Sequence, residues 1–137
     1  MHSHPFRVLR ETGGSLEQLA ALLAPDVVFA SPVLAKTVVG KASVLEVLRR
    51  SVQVRNGVYT DEFCEGNKTV LIWKGTIQGQ PLESFASIVD DDQGRIKEYT
   101  VAMRPFASVV LFRKAMLDQL QGILPADILG TTAESPQ

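Results

Sequence analysis

The sequence predicts an α+β domain in which a few helices pack on a strongly bent antiparallel sheet, with an apolar hollow between them. Three observations carry this expectation. Apolar residues recur at helical spacing in three separate segments. Four strand-length runs follow one another from Tyr59 to Arg104, and the links between them are short enough to permit only antiparallel neighbours. At 137 residues, with 45% apolar and 21% charged side chains, the chain has the size and balance of one globular domain rather than of a disordered or fibrous one.

Each element has a local cause. Pro5 to Thr12 is either a short helix or a loose arm, and Gly13-Gly14 breaks the chain after it. Ser15-Leu16-Glu17-Gln18 reads as a capping box, and Leu16, Leu19, Ala20 and Leu23 continue at helical spacing until Pro25 stops the helix. Val27-Val28-Phe29 is β-branched and aromatic, and predicts a strand ending at Ser31-Pro32. A second long helix is expected from about Lys41 to Arg55, with Val44, Leu45, Leu48 and Val52 on one face.

Strands over Tyr59–Glu65, Thr69–Gln78, Leu82–Asp90 and Ile96–Arg104 follow, separated by the turn signals Gly66-Asn67, Gly79-Gln80-Pro81 and Asp91-Asp92-Gln93-Gly94. After Pro105, a helix places Val109, Phe112, Met116, Leu120 and Ile123 on one stripe. The expected order is α-β-α-β-β-β-β-α. Residues 1–129 form the domain, and 130–137 a small polar tail expected to be flexible.

Val70-Leu71-Ile72-Trp73 is apolar on both sides of its strand, and Val101-Ala102-Met103 continues the pattern. One face should meet the helices, leaving Val70, Ile72 and a neighbour such as Val101 to water. Exposed apolar patches usually mark interfaces, so a homodimer through the outer sheet face is expected. Cover by the chain's own C-terminal helix is the alternative.

Charge and composition narrow the function. Fourteen basic against fifteen acidic residues, a net charge of -1, set up no field for nucleic acid. The densest basic spot, Arg49-Arg50 with Arg55 just beyond, reads as a solvated helix edge. Cys64 stands alone, which excludes an internal disulfide; with no neighbouring His or second Cys it supports neither a metal site nor a Cys-His nucleophile, and it is expected to be a buried small residue. Asp90-Asp91-Asp92 lacks the spacing of a calcium loop. No stretch has the length needed to span a bilayer, so a cytoplasmic protein without metal or cofactor is expected.

Glu83 and Arg104 are the candidate catalytic residues. Glu83 shares a strand face with Phe85 and Ser87. If that face lines the hollow, desolvation would raise its pKa toward that of a general base; otherwise it is a solvated acid near a hairpin end. Arg104 either holds a ligand carboxylate or developing oxyanion, or pairs structurally with Glu98, Glu83 or a C-terminal carbonyl. Phe29, Ser31, Tyr59, Trp73, Phe85 and Tyr99 are the candidate ligand-binding residues, each also readable as core or as turn chemistry.

Leu23-Ala24-Pro25-Asp26-Val27-Val28-Phe29, then Val39-Gly40-Lys41, Asp92-Gln93-Gly94-Arg95-Ile96 and Glu98 to Phe106 resemble the NTF2-like superfamily. This is the cone-shaped fold of nuclear transport factor 2, ketosteroid isomerase and the SnoaL-like polyketide cyclases, and the likeness is to an uncharacterised bacterial branch. It covers roughly residues 15 to 122. It implies a cone, a homodimer and one pocket per subunit between concave sheet and helices.

Two departures bear on activity. Where SnoaL-like enzymes place an Asp at the end of the last strand this chain has Arg104, and its only histidines, His2 and His4, precede the first secure element and are expected to be mobile. The Asp and Tyr arrangement of ketosteroid isomerase has no clear match either. Three functions stand open: a cofactor-independent isomerase, hydrolase or cyclase acting on an apolar substrate, a non-catalytic apolar-ligand carrier, and a dimeric interaction module.

Overall fold

The computed structural model describes residues 3–131. Two short helices come first, α1 (Pro5–Thr12) and α2 (Leu16–Ala21). Strand β1 (Leu23–Ala30), a two-residue strand β2 (Val38–Val39) and helix α3 (Lys41–Ser51) follow. The meander consists of β3 (Asn56–Glu65), β4 (Lys68–Ile77), β5 (Gln80–Asp90) and β6 (Ile96–Arg104). Helix α4 (Phe106–Leu120) and a last turn of helix, α5 (Ala126–Leu129), close the fold.

All six strands form one curved, open sheet in the order β2-β1-β6-β5-β4-β3. The meander is antiparallel throughout, as its short turns require. The sheet as a whole is nonetheless mixed, because β1 lies parallel to β6, with Phe29 opposite Tyr99. That pairing joins segments remote in sequence, where no turn signal could announce it. Strand β2 escaped the sequence reading because two residues show no period.

Boundaries moved where local chemistry was weaker than expected. The Ser15–Gln18 capping box forms, with Gln18 N donating to Ser15 Oγ at 3.1 Å and Ser15 N to Gln18 Oε1 at 2.8 Å. The chain is already extended before Pro25, which sits inside β1. Helix α3 stops at Ser51, four residues before the expected end. Its buried stripe is Val44, Val47, Leu48 and Ser51, so Val52 faces solvent. On α4 the buried stripe is Ser108, Phe112, Met116 and Leu120, a strict repeat of four, while Ile123 is exposed beyond the helix.

The N-terminal segment is a helix, and His4 is buried rather than mobile. Its Nδ1 accepts the Phe6 amide at 3.0 Å and so caps α1, while Nε2 lies 3.0 Å from the Asp90 carboxylate. Its own amide donates to Glu62 at 2.7 Å. Since Nδ1 accepts, the Nε2 proton is the one that faces Asp90. Phe6 then enters the core against Tyr99, ring centroids 5.3 Å apart. His2 and the tail residues 132–137 lie outside the described residues.

The outer face of the sheet carries Phe63, Val70, Ile72, Phe85 and Ala102 as a diagonal apolar stripe across the strand register. Val101, expected beside them, points inward and is buried, and Ala102 takes the outer position. Helix α4 packs with Phe112 and Met116 on the inner side, so it does not cover this stripe. Phe63 is left 60% exposed. Cys64, expected inside, is a free and exposed thiol.

Because His4 ties α1 to two strands at once, His4→Ala is expected to lower unfolding stability by about 1–2 kcal/mol, the size of a lost N-cap with its bonds. Urea denaturation followed by circular dichroism would measure this.

Candidate functional site

Alternation along β5 settles which residues can meet a ligand. Leu82, Ser84, Ala86 and Ile88 are buried on the concave side, so Glu83, Phe85 and Ser87 point to the convex side. Arg104, opposite Glu83 in the register, points the same way. Arg104 Nη1 donates to Glu83 Oε1 at 2.8 Å, and Lys74 Nζ lies 3.8 Å from Oε2. The hydrogen bond from Arg104 holds the Glu83 carboxyl below its usual pKa, the opposite of what a general base needs. The two residues form a structural ion pair on the outer surface. Phe85 belongs to the outer stripe and not to the hollow.

The other candidates lie on the concave side, in two adjoining spaces. Phe29, Ser31 and Tyr99 line a narrow interior hollow of about 20 Å³, together with Leu48 of α3 and Phe112 and Met116 of α4. That is room for little more than one water-sized atom. The broad apolar chamber expected here is largely filled by the helices' own side chains. Ser31 Oγ accepts the Val33 amide at 3.3 Å and shapes the turn after β1.

Tyr59 and Trp73 instead line a cleft of about 460 Å³ at the open end of the cone. Its other walls are Arg10 and Glu11 of α1, Val52 and Arg55 after α3, and Asn56, Gly57 and Val58 at the start of β3. The short α3 makes this mouth. The chain leaves the helix at Ser51 and crosses the cone's end before β3 begins. A glycine trough then seats the indole: a Cβ on Gly57 would lie 2.4 Å from Trp73, and one on Gly75 would lie 2.7 Å from it and 2.0 Å from the Asn56 carbonyl. No other residue fits at either position without moving the backbone or the ring.

Arg55 lines both the hollow and the cleft. Its guanidinium carbon sits 4.3 Å from the Trp73 ring centroid and 5.7 Å from that of Phe112, a double cation–π contact. Its Nη1 is buried without a hydrogen-bond partner, and no ion pair reaches Arg55 among the described residues. Burial pushes its pKa down, and the neighbouring charge of Arg10 adds to this, but a guanidinium remains charged in such a site.

Burial raises the pKa of both Tyr59 and Tyr99, so both stay protonated donors at neutral pH. Among the described residues Glu11 is the one carboxylate that lines the cleft, and Arg7 Nε donates to it at 3.1 Å. Among the described residues no cluster of His, Cys, Asp and Glu could hold a metal ion.

Sequence reading missed Arg55 because an arginine just past two others at a helix end looks like a solvated edge. Only the early end of α3 turns it inward. Gly75→Ala is expected to lift the indole from its trough, which a red shift of Trp73 emission and a lower melting temperature would report.

No family model matches the chain, and no curated protein does. Solved structures do match. An uncharacterized bacterial protein with a cystatin-like fold from Silicibacter pomeroyi superposes with a TM-score of 0.81 at 27% identity, covering 87% of this chain and 84% of that one. A steroid delta-isomerase from Pseudomonas aeruginosa follows at a TM-score of 0.77 and 26% identity, covering 89% and 95%. An NTF2-like protein of unknown function from Cytophaga hutchinsonii shares the fold at a TM-score of 0.59 and 18% identity, covering 74% and 85%.

Proposed function

We propose that this chain, a member by fold of the NTF2-like superfamily, is a small-molecule-binding protein that takes its ligand at the open end of the cone. The observation that carries this reading is the cleft of about 460 Å³ walled by Trp73, Tyr59 and Val52, set against an interior of about 20 Å³. A mostly preformed concavity with an aromatic wall and a few converging polar groups is the usual form of a ligand site.

Isomerase chemistry of the kind named for the Pseudomonas aeruginosa neighbour would require a base aimed at the ligand. Glu83 faces away from the cone, no carboxylate or histidine among the described residues lines the hollow, and Glu11 at the cleft rim is engaged by Arg7. These positions favour binding without turnover. An exposed lone thiol, Cys64, fits a reducing cytoplasm.

The convex stripe supports a second part of the proposal, a homodimer through the outer sheet face. Phe63, Val70, Ile72, Phe85 and Ala102 form a continuous apolar strip. The charged row Lys74, Glu83 and Arg104 borders it and can fix the register of a two-fold partner.

Two measurements check these statements. Sterols, polyketides and fatty acids screened by thermal shift should include compounds that raise the melting temperature of the wild type. Val52→Trp, which fills the mouth from an exposed position, should remove that rise while leaving the ligand-free melting temperature within a few degrees. Failure of every compound to shift the wild type would refute the binding reading. Light scattering should give twice 15.0 kDa for the wild type and 15.0 kDa for Phe63→Glu. A wild type already monomeric at tens of micromolar would remove the dimer.

A further inference from the structure

The polar groups of the cleft show what charge its ligand carries. Trp73 and Phe112 give the Arg55 guanidinium aromatic contacts but no hydrogen-bond acceptor, so its hydrogen-bonding capacity is left to its N–H groups. Those groups form a fork whose geometry matches two oxygens of one planar group. Among the described residues Nη1 has no acceptor, although an unmatched buried donor is costly and rare in native structures. The cations near it are not balanced. Arg10 lies close enough to depress the proton affinity of Arg55 and spends its own Nη2 on the Leu48 carbonyl at 2.6 Å, while Glu11 faces Arg7. The Tyr59 hydroxyl, kept protonated by burial, belongs to the same wall. Beside this cationic corner stand the apolar surfaces of Trp73, Val52 and Val58.

We propose that the cleft recognises an amphipathic organic acid. Its apolar body lies against Val52 and Trp73, and its carboxylate, or an equally delocalised oxyanion, is held by the N–H edge of Arg55. This rests on the reading of the cleft as a ligand site and adds to it the ligand's charge and the residue that reads it. A neutral sterol or hydrocarbon of the same shape would leave the guanidinium unmatched, and the site discriminates against it for that reason.

The chain's single tryptophan is Trp73, whose ring centroid lies 4.3 Å from the guanidinium carbon in question, so its fluorescence reports on this site and no other. The probes are 4-phenylbutyrate and its neutral isostere 4-phenylbutyramide, titrated at millimolar concentrations into the full chain. The acid is expected to change Trp73 emission saturably, with an apparent Kd at least tenfold below that of the amide. In Arg55→Met this preference should fall within twofold, whereas Arg104→Met, on the convex face, should retain it. Arg55→Lys keeps the charge without the fork. It should lose most of the preference even if Arg55→Met proves unfolded by circular dichroism.

Equal binding of acid and amide to the wild type would overturn the inference and leave the ligand site standing. A preference for acid that survives in both Arg55 variants would also overturn it. If neither compound perturbs Trp73 or the melting temperature, the cleft as a ligand site falls together with the inference.

Discussion

A single curled sheet has one inside and one outside, and strand alternation assigns every residue of the meander to one of them. The concave side of β4, β5 and β6 presents Leu71, Trp73, Leu82, Ala86, Ile88, Tyr99 and Val101 to the core, where they meet side chains of the helices and of β1. The convex side receives whatever stands between them, including the Glu83–Arg104 pair. Chemistry in this molecule is therefore confined to residues of one parity, and to the open end where the helices stop covering the sheet.

At that end the energetics are unusual. Aromatic faces attract a guanidinium, by about 0.5–2 kcal/mol each according to how far water is excluded. Desolvation of a charge acts in the other direction and is usually offset by a carboxylate. The structure supplies aromatic faces to Arg55 on Trp73 and Phe112 and, among the described residues, no carboxylate. Elsewhere the same chain pairs its arginines readily: Arg7 with Glu11 and Glu62, Arg50 with Glu46, Arg104 with Glu83. Arg10 and Arg113, which meet no acid, donate to the Leu48 and Val33 carbonyls; Arg55 has neither kind of acceptor among the described residues.

The architecture was largely legible in the residues. The meander could be read because turn signals recur between period-2 runs, and α4 because its apolar spacing is helical over four turns. The parallel contact of β1 with β6 was not legible, since long-range pairing leaves no local mark. Neither was the inward role of His4, a residue whose burial depends on Asp90 and Glu62 arriving from distant strands. For the site, the concave position of Tyr59, Trp73 and Tyr99 agrees with their aromatic character. Phe85 has the same character and sits outside, because composition cannot tell which parity of a doubly apolar strand turns inward. Arg55 was invisible for a related reason: its meaning depends on where α3 ends, and element ends are the least determined feature of a sequence.

Strand β1 has a further bearing on how the molecule comes into being. Its principal partner in the sheet is β6, the last strand of the meander, and only two residues of β2 flank it on the other side. During synthesis the early part of the chain thus emerges with an unsatisfied strand edge that must wait until the whole meander has left the ribosome. Helix α3, which follows β2 directly and packs on β1, offers the waiting segment local shelter. Conditions that slow translation through residues 56–95 would lengthen this interval and with it the time available for wrong partners to occupy the edge.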